Sequence, residues 1–160
     1  MKPPFPSLTA EWHDDTYGSI DPKCPELSVK GKKIVISGGG AGIGRGFTQA
    51  FADAGASSVA ILGRREALLK ETEQEVTATN STISISTHVA DVTDLASVKK
   101  AAEEIGEWDI LVSNAGYLST TAPVVDSDPV DWWTAFEVRT TLPPFQRHRL
   151  PPPKPPPPLT

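Results

Sequence analysis

The stretch IVISGGGAGIGRG, residues 34–46, decides the fold. Its first three residues are apolar and β-branched, which predicts a short buried strand. Six of the 12 glycines of the chain then fall between positions 38 and 46. That density suits neither a helix interior nor a strand, so it predicts a specialised turn. The residues that follow predict a helix over 43–54.

A strand, a glycine turn and a helix in this order are typical of a cradle for the pyrophosphate of a dinucleotide. Gly38 and Gly42 would let the backbone turn tightly and approach a ligand, and Gly44 would let the helix pack closely on the strand. The helix N-terminus offers N–H groups and the positive end of its dipole to phosphates. A purely structural turn is the alternative, and the flanking strand and helix favour the ligand site.

Outward from this segment, short apolar runs alternate with longer amphipathic stretches. In the third amphipathic stretch Leu95, Val98 and Ala102 recur on one face. The alternation predicts an α/β fold, a partial Rossmann-type doubly wound parallel sheet of about four strands with helices on both faces. The predicted strands are 34–36, 58–62, 83–89 and 110–112, and the predicted helices are 43–54, 65–79 and 94–104.

The second strand–helix junction bears on which dinucleotide is bound. About 20 residues after the glycine turn, an NAD site places an acidic side chain on the ribose, whereas an NADP site places a cation near the 2′-phosphate. This chain has Gly63-Arg64-Arg65 there. An Arg fork binds phosphate through two hydrogen bonds, so we predict NADP, with NAD as the alternative. A plainer interpretation makes Arg64 and Arg65 solvated residues at a helix start, with Glu66 beside them taking up charge.

Composition narrows the function classes. The 160 residues and 38% hydrophobic content suffice for one domain with a modest core. Residues 1–138 hold 11 basic and 20 acidic side chains, which argues against a nucleic-acid partner. The single cysteine, Cys24, allows no internal disulfide, and no pattern of ligands predicts a metal site. No apolar run predicts a signal peptide or a membrane span, so the expected location is cytoplasmic.

Three motifs resemble those of the short-chain dehydrogenases/reductases. The segment SGGGAGIG at 37–44 is similar to the TGxxxGxG loop of that family, with Ser37 where Thr is usual. Asp91-Val92 resembles the adenine contact, and residues 113–116, SNAG, resemble the NNAG motif. The resemblance implies a sheet of order 3-2-1-4 and a nicotinamide dinucleotide cofactor. The predicted cofactor-binding residues are Ser37, Gly38, Gly42, Ile43, Gly44, Arg64, Arg65, Asp91, Val92, Asn114, Ala115 and Gly116.

The two later motifs have a physical rationale and a plainer alternative. Asp91 could accept a hydrogen bond from the adenine amino group, and Asn114 could tie neighbouring strand ends together. Ala115-Gly116 could let the cofactor ribose pass close to the backbone. The alternatives are a helix N-cap at Asp94 with Asp91 merely nearby, and a simple turn at 114–116.

Proline marks the ends of the ordered part. Five of the 16 prolines lie in residues 1–25, and nine lie in the last 18 residues. We therefore predict an N-terminal arm over 1–26, an incomplete NAD(P)-binding Rossmann domain over 27–138, and a Pro-rich low-complexity tail over 139–160. At Val138-Arg139 the sequence changes from one that resembles a family helix to a Pro-rich, low-complexity segment. A shifted reading frame or a read-through intron would produce such a change.

The tail suggests a binding module as a second function class. Arg149, Pro152 and Pro155 have the R-x-x-P-x-x-P spacing of ligands for SH3-type grooves. We favour a disordered tail without such a partner, because Pro runs match this pattern easily. A nonfunctional truncated translation product is a further alternative.

The resemblance stops before the chemistry of the family. That chemistry is hydride transfer between nicotinamide and a carbonyl or alcohol, and it uses an Asn, a Ser and a Tyr-x-x-x-Lys pair. Tyr17 and Tyr117, the only tyrosines, are followed four residues later by Asp21 and Thr121, and Arg139 stands where the family has Asn. We predict no catalytic residue: the chain keeps dinucleotide binding, is catalytically incompetent, and only a complete form would take a small carbonyl or alcohol substrate.

The missing later part leaves the fourth strand uncovered. In the family a fifth strand pairs with it, and open apolar strand edges promote pairing with other chains. We predict marginal stability and self-association through this edge. Residues 131–138 resemble the next helix of the family, in which Trp132 and Trp133 are expected to pack the helix.

Overall fold

The computed structural model describes residues 6, 13 and 15–140. Four parallel strands form one sheet in the order β3-β2-β1-β4, so the α/β fold class and the strand order are confirmed. The strands are β1 Lys33–Ser37, β2 Ser58–Gly63, β3 Ser84–Val89 and β4 Ile110–Val112. The helices are α1 Gly42–Asp53, α2 Glu66–Thr79, α3 Leu95–Ile105 and α4 Pro129–Thr140.

Side-chain alternation along β1 and β2 divides the core into two layers. Ile34 and Ile36 point to the face that packs against α1 and α2, whereas Val35 points to the opposite face. In β2, Val59 and Ile61 join the first layer, as the two-residue period of a strand requires. Both faces of the central strands are therefore covered, which is the reason for their continuous apolar sequence.

Helices α1 and α3 each bury a stripe of small or β-branched residues. In α1, Thr48 and Ala52 are buried, and the Thr48 hydroxyl donates a hydrogen bond to the Gly44 carbonyl at 3.0 Å. In α3, the buried residues are Val98 and Ala101. Leu95, which was expected on the same face, is half-exposed, because the buried stripe of α3 begins one turn later.

The β4 and α4 side of the fold is less well covered. All three residues of β4 are only partly buried. Val138 is the one buried residue of α4 among those whose side chains are described. Trp132 and Trp133 are 50% and 56% exposed. The Trp133 ring stacks on Phe136, and the Trp132 ring contacts Phe136 in a tilted arrangement. The two tryptophans were expected to pack the helix, and the ring contacts that they make are with Phe136 of α4 itself.

The segments flanking the sheet are partly described. Short 3-10 turns lie at Gly18–Ile20 and Pro25–Leu27, and Val29 packs against the α1 side of the core. Helix α4 continues to Thr140, two residues past the predicted domain end at Val138. The tail with its SH3-type spacing lies outside the described residues, so the domain boundaries stay predictions. Within residues 15–140 no helix is long and apolar enough to cross a membrane.

Candidate functional site

A cleft of about 370 Å³ opens at the carboxyl ends of the strands. The segments that leave β1, β2, β3 and β4 all contribute to its wall, and doubly wound sheets bind their ligands at this end. The residues that line it are Gly38, Gly40, Ala41, Ile43, Gly44, Gly63, Arg64, Arg65, Leu68, Leu69, Ala90, Asp91, Val92, Asn114, Ala115, Gly116 and Val138.

The turn between β1 and α1 depends on glycine at particular positions. Gly38 has φ +72° and donates its N–H to the Leu62 carbonyl at 2.7 Å. Gly42 has φ +53°, which L-residues rarely adopt. A Cβ on Gly44 would lie 2.1 Å from the carbonyl oxygen of Gly38. Only glycine at position 44 therefore lets α1 start this close to the end of β1.

Two helices begin at the cleft without a side-chain cap. Ala41 precedes α1 and Arg65 precedes α2, and neither side chain caps the first turn. In contrast, Asp94 caps α3 by accepting a hydrogen bond from the Ala96 N–H at 3.0 Å. The first N–H groups of a helix have no partner within the helix and carry partial positive charge. The cleft therefore has two edges that suit anionic groups.

Ser37 and Asn114 lock the ends of β1 and β4 together. The Ser37 hydroxyl accepts hydrogen bonds from the N–H groups of Asn114 at 3.1 Å and Ala115 at 3.0 Å. Asn114 Nδ2 donates to the Ser37 carbonyl at 3.0 Å, which is the link between strand ends expected of this residue. Ser37 itself is 1% exposed and lies behind the cleft wall. Its hydroxyl fixes the backbone over which Ala115 and Gly116 face the cleft.

Arg64 and Arg65 lie exposed at the mouth of the cleft, where β2 gives way to α2. Within residues 15–140 neither guanidinium forms an ion pair, and Glu66 pairs with neither of them. These two guanidinium groups lie beside the N-terminus of α2, which has no side-chain cap. Together they form the most positive part of the cleft wall. This arrangement suits a phosphate group.

Asp91 also lines the cleft, on the loop that follows β3. Its Oδ1 accepts hydrogen bonds from the N–H of Thr93 at 2.9 Å and from the Thr93 hydroxyl at 2.8 Å. The Thr93 N–H is the main cause of the lowered pKa of Asp91, and the positive charge of Arg64 adds to it. Oδ2 has no partner among the described residues. It remains able to accept a hydrogen bond from a ligand.

The cleft brings together ten of the twelve predicted binding residues. Ser37 and Gly42 do not line it: Ser37 is buried behind the wall, and Gly42 shapes the turn. Sequence reasoning missed several wall residues that flank predicted ones, so proximity in sequence could have found them. Val138 comes from α4 and has no such local signal. The missed residues are Gly40, Ala41, Gly63, Leu68, Leu69, Ala90 and Val138.

Tyr117 follows the cleft wall and bonds to α4. Its hydroxyl donates a short hydrogen bond to Oδ1 of Asp131, and Oδ2 of Asp131 accepts from the Thr120 N–H at 2.8 Å. The hydrogen bond to Asp131 is the main cause of the raised pKa of Tyr117. The carboxylate of Asp131 therefore favours the protonated phenol of Tyr117. A neighbouring lysine would have the opposite effect, because its positive charge lowers the pKa of a tyrosine.

The remaining candidate ligands are dispersed. The Cys24 thiol donates to a carboxylate oxygen of Glu26 at 2.8 Å, and His88 contacts Glu104 and Ser86, each at 3.1 Å. Over the part of the chain that the structure describes, no three His, Cys, Asp or Glu side chains are grouped to hold a metal ion.

Comparisons with known proteins agree with this geometry. The sequence profile of a family described as short chain dehydrogenase matches residues 32–142. The chain is 37% identical over 137 residues to the short chain dehydrogenase tazN of Aspergillus terreus, a match that covers 82% of this chain and 29% of that protein.

Solved structures with the same fold include proteins with either cofactor. L-sorbose reductase from Gluconobacter frateurii, complexed with NADPH and L-sorbose, has a TM-score of 0.63 and 25% identity over 69% of this chain and 43% of that chain. NAD⁺-bound xylitol dehydrogenase has a TM-score of 0.63 and 27% identity over 70% and 44%. The chain spans less than half the length of each of these relatives.

Proposed function

Because this chain belongs to the short-chain dehydrogenase family, we propose that its described domain is the NADP(H)-binding part of an oxidoreductase acting on a carbonyl or alcohol. The nicotinamide would supply the hydride chemistry. The residues of this chain bind the adenosine and phosphate groups and orient them.

The glycine turn supports binding of the pyrophosphate. Gly38, Gly40 and Gly44 line the cleft and carry no side chains of their own between the backbone and a ligand. The start of α1 has no side-chain cap at Ala41, so its N–H groups are available to phosphate oxygens. The residues present therefore fit a dinucleotide.

The single observation that carries the preference for NADP(H) is the pair Arg64 and Arg65. Both line the cleft, neither is paired with a carboxylate within residues 15–140, and they stand where an NAD site would carry an acidic residue. The uncapped start of α2 lies beside them. Together they provide two charged forks and a helix dipole for a 2′-phosphate.

Asp91 and Val92 complete the adenosine end of the site. Oδ2 of Asp91 is available to accept from the adenine amino group, and Thr93 holds the carboxylate in its ionised form. The nearby Val92 is 7% exposed and lines the cleft, so it offers an apolar surface to the base.

We further propose that the 160-residue chain does not turn over substrate by itself. The tyrosine nearest the cleft, Tyr117, is bonded to Asp131 and has a raised pKa, and the sequence holds no Tyr-x-x-x-Lys pair. NADPH incubated with the chain and a panel of ketones should keep its absorbance at 340 nm. Steady oxidation of NADPH would contradict this proposal.

The binding proposal is tested by titrating the chain with NADPH and NADH, with calorimetry as the readout. We expect the double variant Arg64→Ser, Arg65→Ser to weaken NADPH binding by about tenfold or more, because charge-assisted hydrogen bonds to the 2′-phosphate are lost. NADH affinity should change by less than about threefold, because NADH lacks that phosphate.

Lys99→Ser is the matched control, because Lys99 is an exposed cation on α3 that does not line the cleft. It should leave both affinities unchanged. Equal losses for NADPH and NADH in the double variant would remove the NADP preference and leave dinucleotide binding. Failure of the unchanged chain to bind either cofactor would overturn the proposal as a whole.

Two further expectations from the sequence stay proposals. We propose that the chain self-associates through the edge of β4 that pairs with no other strand among the described residues; its three residues are partly exposed and apolar. Sedimentation velocity should show oligomers that Leu111→Lys reduces, and a monomer at high micromolar concentration would refute this.

The second of these expectations is a cytoplasmic location, which we also propose. Fractionation of the source cells would test it.

A further inference from the structure

Arg45 follows the glycine turn, yet it does not line the cleft. Its side chain leaves α1 and reaches two carboxylates of α2. Nη1 lies 3.1 Å from both carboxylate oxygens of Glu75, and Nη2 lies 3.0 Å from Oε2 of Glu71. Single exposed ion pairs contribute little, but here one guanidinium fork engages two acids.

The same guanidinium also holds the glycine turn. Arg45 Nη2 donates a hydrogen bond to the Gly40 carbonyl at 3.2 Å. The turn already rests on α2 at this point, because a Cβ on Gly40 would lie 3.2 Å from the backbone nitrogen of Leu69. Arg45 Nε is buried without a hydrogen-bond partner, so the Nη contacts alone fix the orientation of the guanidinium.

These contacts join the two ends of the proposed dinucleotide site. The glycine turn and the start of α1 would hold the pyrophosphate, and Arg64 and Arg65 at the start of α2 would hold the 2′-phosphate. The distance between the two ends depends on where α2 sits against the turn. A ligand that spans both ends binds tightly only if this distance is set in advance.

We propose that Arg45, held by Glu71 and Glu75, is a positioning residue that fixes the spacing between the pyrophosphate end and the 2′-phosphate end of the cleft. This inference rests on the proposed NADP(H) binding. Arg45 does not line the cleft: it acts through the Gly40 carbonyl and through α2.

A second set of contacts between the same two helices provides a matched control. Near the far end of α2, Asn80 Nδ2 donates to Oδ1 of Asp53 at 2.9 Å, and the Thr79 hydroxyl donates to Oε1 of Gln49 at 3.0 Å. These groups link α1 to α2 without touching the glycine turn. Asn80→Ala therefore loosens the helix pair and leaves the proposed spacer intact.

The experiment compares Arg45→Met with Asn80→Ala in the full 160-residue chain, using NADPH and 2′-AMP as probes. NADPH spans both ends of the site, whereas 2′-AMP occupies only the adenosine end. We expect Arg45→Met to raise the Kd for NADPH about tenfold and that for 2′-AMP less than twofold. Asn80→Ala should change neither Kd by more than about twofold.

Arg45→Lys and Glu75→Gln keep the test valid if Arg45→Met does not fold. Lys has one compact ammonium that cannot hold two acids and a carbonyl together, so an intermediate loss for NADPH is expected. Losses that are equal for NADPH and 2′-AMP, or that Asn80→Ala reproduces, would overturn the positioning role and leave the binding proposal standing. If the unchanged chain binds no NADPH, both proposals fail.

Discussion

The α1–α2 side of the sheet and the side formed by the β4 edge and α4 differ in how completely they are covered. On one side, α1 and α2 each bury three residues, and the β1 and β2 residues that face them are fully buried. On the other side, β4 has no fully buried residue and α4 contributes Val138. The central strands have a strand on each side, whereas β4 pairs only with β1 among the described residues. Burial is therefore complete only where both neighbours are present.

The cleft lies between these two regions and draws on both. The well-packed side supplies the glycine turn, Arg64 and Arg65, which suit phosphate groups. The less covered side supplies 114–116 and Val138. The hydrogen bonds between Ser37 and Asn114 tie the end of β4 to the end of the buried strand β1. We expect substitutions on the first side to cost more stability than equivalent ones on the second.

The largest effect is expected at the glycine turn. Gly44→Val would place a Cβ 2.1 Å from the Gly38 carbonyl and 2.7 Å from the Asn114 amide. We expect a loss of about 4 kcal/mol or more in unfolding free energy, or no folded protein, because backbone would have to move. Urea denaturation followed by circular dichroism measures it.

Gly46→Ala is the control for this prediction. Gly46 lies in the same helix and a Cβ there would meet nothing within 4 Å. Alanine should stabilise the chain by up to about 1 kcal/mol through helix propensity. A similar loss in both variants would show that a side chain anywhere in this part of α1 lowers stability, and that the close approach at Gly44 is not the cause.

The next largest effect separates the two sides of the sheet directly. Ile61 in β2 is fully buried, whereas Leu111 in β4 is partly exposed. Ile61→Ala should cost about 3–4 kcal/mol and Leu111→Ala about 1–2 kcal/mol, because a partly exposed side chain loses less apolar burial. Equal costs in denaturation would mean that β4 is covered in solution, for example by another copy of the chain.

The smallest effect concerns the link between Tyr117 and α4. Hydrogen bonds from the Tyr117 hydroxyl and then the Thr120 N–H hold the pKa of Asp131 below its usual range. A carboxyl with a lower pKa in the folded state stabilises fully above its unfolded pKa of about 4, and this stabilisation is lost as the pH falls through the folded value. In Asp131→Asn the free energy of unfolding should therefore depend less on pH below about pH 4 than it does in the unchanged chain.

The same variant should bring the raised pKa of Tyr117 down toward its ordinary value, since the negative partner is gone. Absorbance titration of tyrosinate near 295 nm reads this directly. Asp126→Asn, an exposed carboxylate in the turn before α4, serves as the comparison and should move neither quantity. An unchanged Tyr117 titration in Asp131→Asn would mean that the hydrogen bond is absent in solution.

Much of the fold was predictable because its signals are local. The β-branched run at 34–36, the glycine density after it and the amphipathic stretches each depend on neighbours in sequence. Every predicted strand and helix end between 34 and 112 falls within one residue of the observed one. The family and the strand order are confirmed as well.

Part of the candidate site could not be read in this way. Ser37 was predicted to contact the cofactor, and the structure places its hydroxyl on backbone N–H groups 77 and 78 residues away. The pairing of Arg45 with Glu71 and Glu75 joins residues 26 and 30 positions apart. Neither contact could be predicted from periodicity in the sequence, because each depends on how helices and strand ends pack in the folded chain.

The sequence by itself determined the strand–glycine turn–helix unit, because glycine density and apolar periodicity act through steric limits on adjacent backbone. It also determined the charge of the cleft mouth through Arg64 and Arg65. Only the tertiary structure decided which hydroxyls and guanidinium groups line the cleft and which brace its wall. Those roles follow from distances between segments far apart in the chain, and such distances exist only once the sheet has formed and the helices have packed on it.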